Sequence, residues 1–255
     1  MSKFIDKLNW VSQLVPQPMG FRAAPSTQEK PRMLLIASLA QVDIPSLADY
    51  VAGADAGLLH VSDLGSGAKT LQKICQFIPD IPWGGWLTDI GRGEIKQMAK
   101  VSYDFLVFPA GTPLTLTDEV NKILQVEASL SEGMLRVIDK LPVDAVFIAN
   151  KQEGDYFLTW HHLMLFQRFA ELSTKPLLVS IPSDVTANEL QALWEAGVDG
   201  VVAEVRVGQL AGRLKELHQA INKLTFPWQR RRGKTKALLP FISEQRDIGT
   251  EEEEE

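Results

Sequence analysis

From residue 32 onward short apolar runs alternate with longer amphipathic ones, and Gly, Pro or Asp marks most joints. The apolar runs are "MLLIAS" (33–38), "AGLLHVS" (56–62), "WGGWLT" (83–88), "DFLVFPA" (104–110), "KILQVEA" (122–128), "DAVFIAN" (144–150), "PLLVSIP" (176–182) and "GVVAEVR" (200–206). Runs this short and almost continuously apolar predict strands buried on both faces. The stretches between them repeat apolar residues at helical spacing: "IPSLADYVAGA", "AKTLQKICQFI", "GEIKQMAKVS", "SEGMLRVIDKL", "TWHHLMLFQRFAELS", "TANELQALWEAG" and "VGQLAGRLKELHQAINKL". "SEGMLRVIDKL" opens on a serine followed by an acid, the signature of a helix start. "GTPLTLTDEVN", between the fourth and fifth strands, has room for a short helix at most. Ahead of all this, "MSKFIDKLNWVSQLV" sets Phe4, Ile5, Leu8, Val11 and Val15 along one side of an amphipathic helix.

Eight strands alternating with helices predict a parallel sheet with crossover connections. The count and the length match an α/β fold of the (β/α)8 TIM-barrel type. A doubly wound open sheet is the alternative, but such sheets more often carry a glycine fingerprint after the first strand. "IASLAQVDIPS" has no G-x-G-x-x-G. Four helix-to-strand joints share one grammar, a small or turn residue, an Asp, then a strand: "AGADAGLL", "KVSYDFLVF", "KLPVDAVFI" and "EAGVDGVV". The expected organisation is an N-terminal helix and lead-in (1–31), the barrel (32–226) and a charged tail (227–255).

Composition narrows the class. Of the 255 residues 45% are hydrophobic and 23% charged, a soluble globular balance. The single cysteine, Cys75, rules out an internal disulfide and a cysteine-rich metal site. It falls in a helical pattern and is expected in the core. No stretch reaches the length of a membrane span, and the N-terminus lacks the apolar run of a secretory signal, so a cytoplasmic location is expected. The net charge of −6 argues against general nucleic-acid binding. From Pro227 on there are six Lys/Arg and seven Asp/Glu, leaving 20 positive against 25 negative residues, or −5, on the body. The tail groups Arg230, Arg231, Arg232, Lys234 and Lys236 and ends in five glutamates, a run that repels itself and stays solvated. A mobile tail whose cations meet an anionic partner is expected.

Barrels of this type place their chemistry at the C-terminal strand ends. Side chains alternate between interior and helix layer, so the face that turns polar near a strand's end is taken as interior. The resulting set is Ser38 in the first strand, His60 and Ser62 in the second, Asp89 after the third, Gln125 and Glu127 in the fifth, Ser180 in the seventh and Glu204 with Arg206 in the eighth. Asn150 and Lys151 close the sixth strand. Glu127, inside "ILQVEASL", is costly to bury alone; it reads either as a general acid–base group with a raised pKa or as half of an ion pair with Arg206. His60 reads as a general base or as a hydrogen-bonded interior histidine. Asp89 either caps a helix or faces the interior. Of the two tryptophans around "GG", Trp83 is expected in the barrel, filling its lower layer or walling a ligand. His161 and His162 are helix neighbours and share no face, so they make no metal pair. No metal-ligand spacing or cofactor motif is found, and no cofactor is expected.

"VTANELQALWEAGVDGVVAEV" (185–205) resembles the seventh-to-eighth-strand segment of the phosphate-binding TIM-barrel superfamily, which includes thiamine-phosphate synthase, indole-glycerol-phosphate synthase and the tryptophan synthase α chain. The match covers about 21 of 255 residues. It implies a barrel, but the phosphate-binding glycines are not retained: the turns read "SIPSDV" and "EVRVG". Proline at 182 removes a backbone donor, and Glu204 would repel a phosphate, with Arg206 to offset it. Glu127 on the fifth strand is similar to a glutamate of indole-glycerol-phosphate synthase, yet lysines on the first and third strands are missing. Lys151, ending the sixth strand, resembles the Schiff-base lysine of class I aldolases, or is a solvated loop residue. Two functions therefore fit: a lyase, aldolase or isomerase acting on a small carbonyl metabolite with Glu127 as acid–base, or a non-catalytic barrel that binds a ligand or protein, its basic tail contacting an anionic partner.

Overall fold

The structure is a computed structural model, and it describes residues 2–13, 30–40, 47–61, 70, 73–88, 103–114, 120–149, 156–205 and 212–225. Eight strands close into one barrel in chain order. They are β1 (Leu34–Leu39), β2 (Ala56–Val61), β3 (Trp83–Leu87), β4 (Phe105–Pro109), β5 (Asn121–Val126), β6 (Ala145–Ile148), β7 (Leu177–Ile181) and β8 (Gly200–Val205). All neighbours are parallel, and β8 returns to pair with β1 from Leu34↔Gly200 to Leu39↔Val205. That pairing overturns the open-sheet alternative. Each apolar run became a strand, with ends shifted by no more than two residues.

The helices are α1 (Lys3–Ser12), α2 (Leu47–Val51), α3 (Glu132–Ile138), α4 (Trp160–Leu172), α5 (Ala187–Glu195) and α6 (Arg213–Asn222). Residues 73–77 are also helical. The helix expected over 93–102, and Val15 of the N-terminal pattern, lie outside the described residues. Capping boxes start α4 (Thr159 with His162) and α5 (Thr186 with Glu189). Ser131 stands at the N-cap of α3, but its side chain makes no capping bond.

Strand alternation divides the apolar residues into two cores. One lies between barrel and helices and includes Leu35, Leu59, Leu106, Phe166 and Leu193. The other fills the barrel and includes Leu34, Ile36, Leu58, Phe105, Ile123, Phe147 and Val202. The second core also contains Phe4, Ile5, Leu8 and Val11 of α1. The N-terminal helix is thus the plug of the barrel's lower end. Phe4 stacks on Phe105 with ring centroids 4.4 Å apart. The Asp104 carboxylate accepts from Ser2 Oγ at 2.7 Å and from the backbone N–H groups of Lys3 and Phe4, so an acid holds the positive end of α1. Lys7 of α1 pairs with Asp55.

The repeated Asp has a structural cause. Asp55, Asp144 and Asp199 precede β2, β6 and β8, and each accepts from a backbone N–H at the start of the neighbouring strand β1, β5 or β7: Leu35, Lys122 and Leu177, at 2.9, 2.7 and 2.8 Å. Each also donates its own N–H to the carbonyl of that same residue. These reciprocal bonds satisfy backbone groups where the strand ladder begins. Asp104, before β4, keeps only the backbone half, donating to Trp83 O at 3.0 Å. Its carboxylate is spent on α1.

"WGGWL" also resolves. Trp83 lies in the outer core, not in the barrel interior as its pattern suggested, and its indole donates to Ile78 O at 3.2 Å. It lies over Gly57, where an added Cβ would sit 2.2 Å from the ring. Gly84 gives the corresponding space to Phe105, whose ring would be 2.3 Å from such a carbon. Trp86 is the tryptophan that faces inward, against Phe147.

Candidate functional site

At the C-terminal end of the barrel the interior face turns polar. Ser38 continues the phase of Leu34 and Ile36, His60 that of Ala56 and Leu58, Gln125 that of Ile123, Ser180 that of Leu178 and Glu204 that of Val202. The strand register brings Ser38 beside Glu204 and His60 beside Trp86. Ser38, almost completely buried, has its Oγ 2.8 Å from His60 Nε2, a hydrogen bond whose direction the histidine tautomer sets. The imidazole packs against Trp86 with centroids 4.3 Å apart. Trp86 in turn donates from Nε1 to Gln125 Oε1 at 2.8 Å and meets the edge of Phe147. Side chains of five strands thus form one connected layer under the mouth.

Burial is the main influence on His60 and lowers its pKa; the charge of Glu204 raises it, to a smaller extent. The result is an imidazole that is neutral near pH 7, with one ring nitrogen engaged by Ser38. Neutral imidazole in a mouth lined with polar groups is equipped to take a proton.

Glu127 requires a correction. The strand pattern implied a buried carboxylate, but β5 ends at Val126 and the next side chain stands exposed on the rim. It lines a cavity of about 370 Å³ together with Ser180, Tyr156, Ile148, His161 and His162. Ser180 belongs to both this cavity and the interior phase, so the cavity opens beside the polar layer. His162 is held in the capping box: Thr159 N–H donates to its Nδ1 at 3.2 Å. Burial, with His161 nearby, lowers its pKa. The two histidines share the cavity wall, although they are sequence neighbours.

Asp89 is in phase with Leu87, and Leu87 packs in the outer core, so that phase is not the interior one. Asp89 itself lies outside the described residues, as do Ser62, Asn150, Lys151 and Arg206. The Schiff-base lysine and the Glu127–Arg206 pair therefore have no described geometry. Sequence reasoning missed Trp86 and Tyr156. Trp86 was legible from its neighbour: once Gly57 is seen to need a large residue over it on the outer layer, Trp83 takes that place and Trp86 must point inward.

After β7 the backbone carbonyls are engaged by an arginine. Arg213, the first residue of α6, donates to Ser183 O at 3.1 Å and Val185 O at 2.8 Å, and pairs with Glu216 at 3.2 Å. Glu204, next to last in β8, is exposed. Among the described residues no group of three or more His, Cys, Asp or Glu could hold a metal, and no helix is long and apolar enough to cross a membrane.

Fold and mouth together define a (β/α)8 barrel with a polar C-terminal layer. No family model matches the chain, and no curated protein is similar to it in sequence. Among solved structures, the thiamine phosphate pyrophosphorylase of Pyrococcus furiosus superposes with a TM-score of 0.59 at 12% identity, over 77% of this chain and 98% of that one. A mutant tryptophan synthase alpha-subunit of the same organism gives 0.55 at 14% identity, over 75% and 97%. The fold is that of these two barrels, as the 185–205 segment implied.

Proposed function

We propose that the chain is an enzyme of the lyase, aldolase or isomerase type, acting on a small carbonyl metabolite at the barrel mouth. The observation that carries this reading is His60: a half-buried, neutral imidazole, fixed by Ser38 and packed on Trp86, in the layer where barrels of this kind keep their chemistry. In this reading His60 takes a proton from carbon next to the carbonyl. Glu127, on the wall of the adjoining cavity, is the second acid–base group. Gln125, Ser180 and Glu204 position the ligand, with Ser62, Asn150, Lys151 and Arg206 completing the set. The superposed barrels are enzymes by their names, which supports the reading only as an analogy of fold.

Proton abstraction next to a carbonyl can be tested before the substrate is known. Small keto acids, aldehydes and sugars are incubated with the protein in D2O and followed by proton NMR. The wild type is expected to exchange the α-proton of one chemical class. His60→Gln is expected to slow that exchange about 100-fold or more, and Glu127→Gln to slow it as well. Exchange by none of the compounds would sink the reading.

One observation favours a second reading, a barrel that binds without catalysis. Trp86 and Phe147 fill the interior beneath the mouth, and the Trp86 indole is already satisfied by Gln125. Binding of a compound without exchange would select it. In that case we propose that the cations Arg230, Arg231, Arg232, Lys234 and Lys236 bring an anionic partner to a cytoplasmic binding protein. Truncation before residue 229 is expected to abolish its capture at low salt and leave the melting temperature unchanged.

A further inference from the structure

Gln125 is next to last in β5, in the interior phase of Ile123, and is partly buried. Its cross-strand neighbours are Pro109 and Phe147, and neither side chain can accept a hydrogen bond. Trp86 Nε1 reaches its Oε1 at 2.8 Å. An indole N–H only donates, so it must meet the oxygen of the carboxamide and not the nitrogen. That bond settles which way round the amide lies, a choice otherwise open for any glutamine. The oxygen is spent on Trp86. What Gln125 has left to offer is Nε2 with its two donors. Among the described residues no acceptor meets that nitrogen, and it is not closed off from solvent. For an interior-phase group at the C-terminal end of the barrel, that solvent is the mouth.

The same indole links this amide to the base. His60 packs against Trp86 with ring centroids 4.3 Å apart, and Phe147 meets it edge-on at 5.1 Å. Trp86 is held by three neighbours, so the amide that depends on it is held as well. The donor is oriented before any ligand arrives, which is the condition under which a hydrogen bond stabilises developing charge without reorganisation.

We propose that Gln125 is the group that holds the substrate's carbonyl oxygen, through its Nε2 donors, while His60 removes the proton from the adjacent carbon. The inference rests on the reading of the mouth given above. In the step the C–H bond breaks and its proton goes to His60. The electron pair left behind forms the C=C bond of an enolate, and the carbonyl π pair moves onto the oxygen. Gln125 keeps both its protons and only donates hydrogen bonds to that oxygen. Trp86 is the positioning residue that keeps the donors toward it. A substrate must therefore present an acceptor at this point, and a group that offers only donors, such as an ammonium, is rejected.

The test follows α-proton exchange in D2O, over the same keto acids, aldehydes and sugars, in wild type, Gln125→Met and Gln125→Glu. Gln125→Met has no donor and is expected to lower the maximal exchange rate about 100-fold, with a smaller change in KM. Gln125→Glu keeps an oxygen for the Trp86 indole but turns a second oxygen, not a donor, to the substrate. With its carboxyl ionised it is expected to be slower than Gln125→Met. As pH falls from about 8 to about 5, toward the usual glutamate range, the protonated fraction regains an O–H donor. The ratio of the Gln125→Glu rate to the Gln125→Met rate is therefore expected to climb from below one to above one. β4 and β6, on either side of β5, carry no titratable side chain. His60 and Glu204 in the polar layer and Glu127 on the rim are present in both variants. Equal maximal rates in wild type and Gln125→Met, or a ratio that stays flat over this range, would overturn the inference and leave the reading of the mouth standing. No exchange by the wild type would overturn both.

Discussion

At the residue scale the protein depends on where single polar groups are left dry. Burial holds His60 below its ordinary value near 6.5, against a smaller pull from Glu204. The folded state therefore binds this proton more weakly than the unfolded chain. The stability so contributed is complete above pH 6.5 and is lost as pH falls from there through the folded-state pKa. Urea unfolding between pH 7.5 and pH 5 is expected to show this loss, and His60→Gln to reduce the slope; an unchanged slope would contradict the burial argument. Glu204→Gln removes the opposing charge, so the His60 midpoint in an NMR titration is expected to move down. Asp199 makes the other residue-scale case. It is fully buried and accepts from Leu177 N at 2.8 Å. Asp199→Ala is expected to cost about 1.5–3 kcal/mol, the range for a hydrogen bond to a charged group. A cost below 0.5 kcal/mol, roughly the noise between surface substitutions, would mean the joint is not a stabilising device.

At the element scale α1 and β3 decide the barrel's lower half. Phe4, Leu8 and Val11 are buried in the interior core, and side chains of this kind contribute roughly 1.5–3 kcal/mol each on burial. Phe4→Ala is expected to lower stability by about 3–5 kcal/mol in chemical unfolding, because it empties the stack on Phe105. Loss of less than about 1 kcal/mol would mean that α1 is dispensable to the core. The helix itself was readable from its apolar stripe, but its destination was not. Nothing in "FIDKLNWV" distinguishes packing on the outer helix layer from plugging the barrel; that follows from Asp104, a hundred residues away, turning its carboxylate to the helix N-terminus. The phase of β3 failed for a related reason. "WGGW" has a large residue at each end and only glycines between, so alternation alone fits either side. Only the cross-strand neighbours Gly57 and Phe105 fix which tryptophan is inside.

At the scale of the whole molecule the eightfold rhythm was fully legible, because strand burial on both faces and the Asp joints are local signals repeated along the chain. The site was legible in part. Ser38, His60, Gln125, Ser180 and Glu204 follow from the interior phase, and the structure sets them in one polar layer or on its rim. Glu127 was assigned correctly to the mouth end but not to burial, since a strand's last residue is set by pairing rather than by apolarity. What the site binds is a matter of shape and of loops, and periodicity carries neither. The measurement that bears most directly on the mouth as a small-molecule site is a thermal-shift comparison of wild type, His60→Gln and Glu127→Gln against small keto acids, aldehydes and sugars, each with and without a phosphate. A ligand that binds only the folded state raises the melting temperature by mass action. The expected result is a rise with one carbonyl class, largest without phosphate, and a smaller rise or none in the two variants. A rise of equal size in all three proteins, or none in the wild type, would contradict the account.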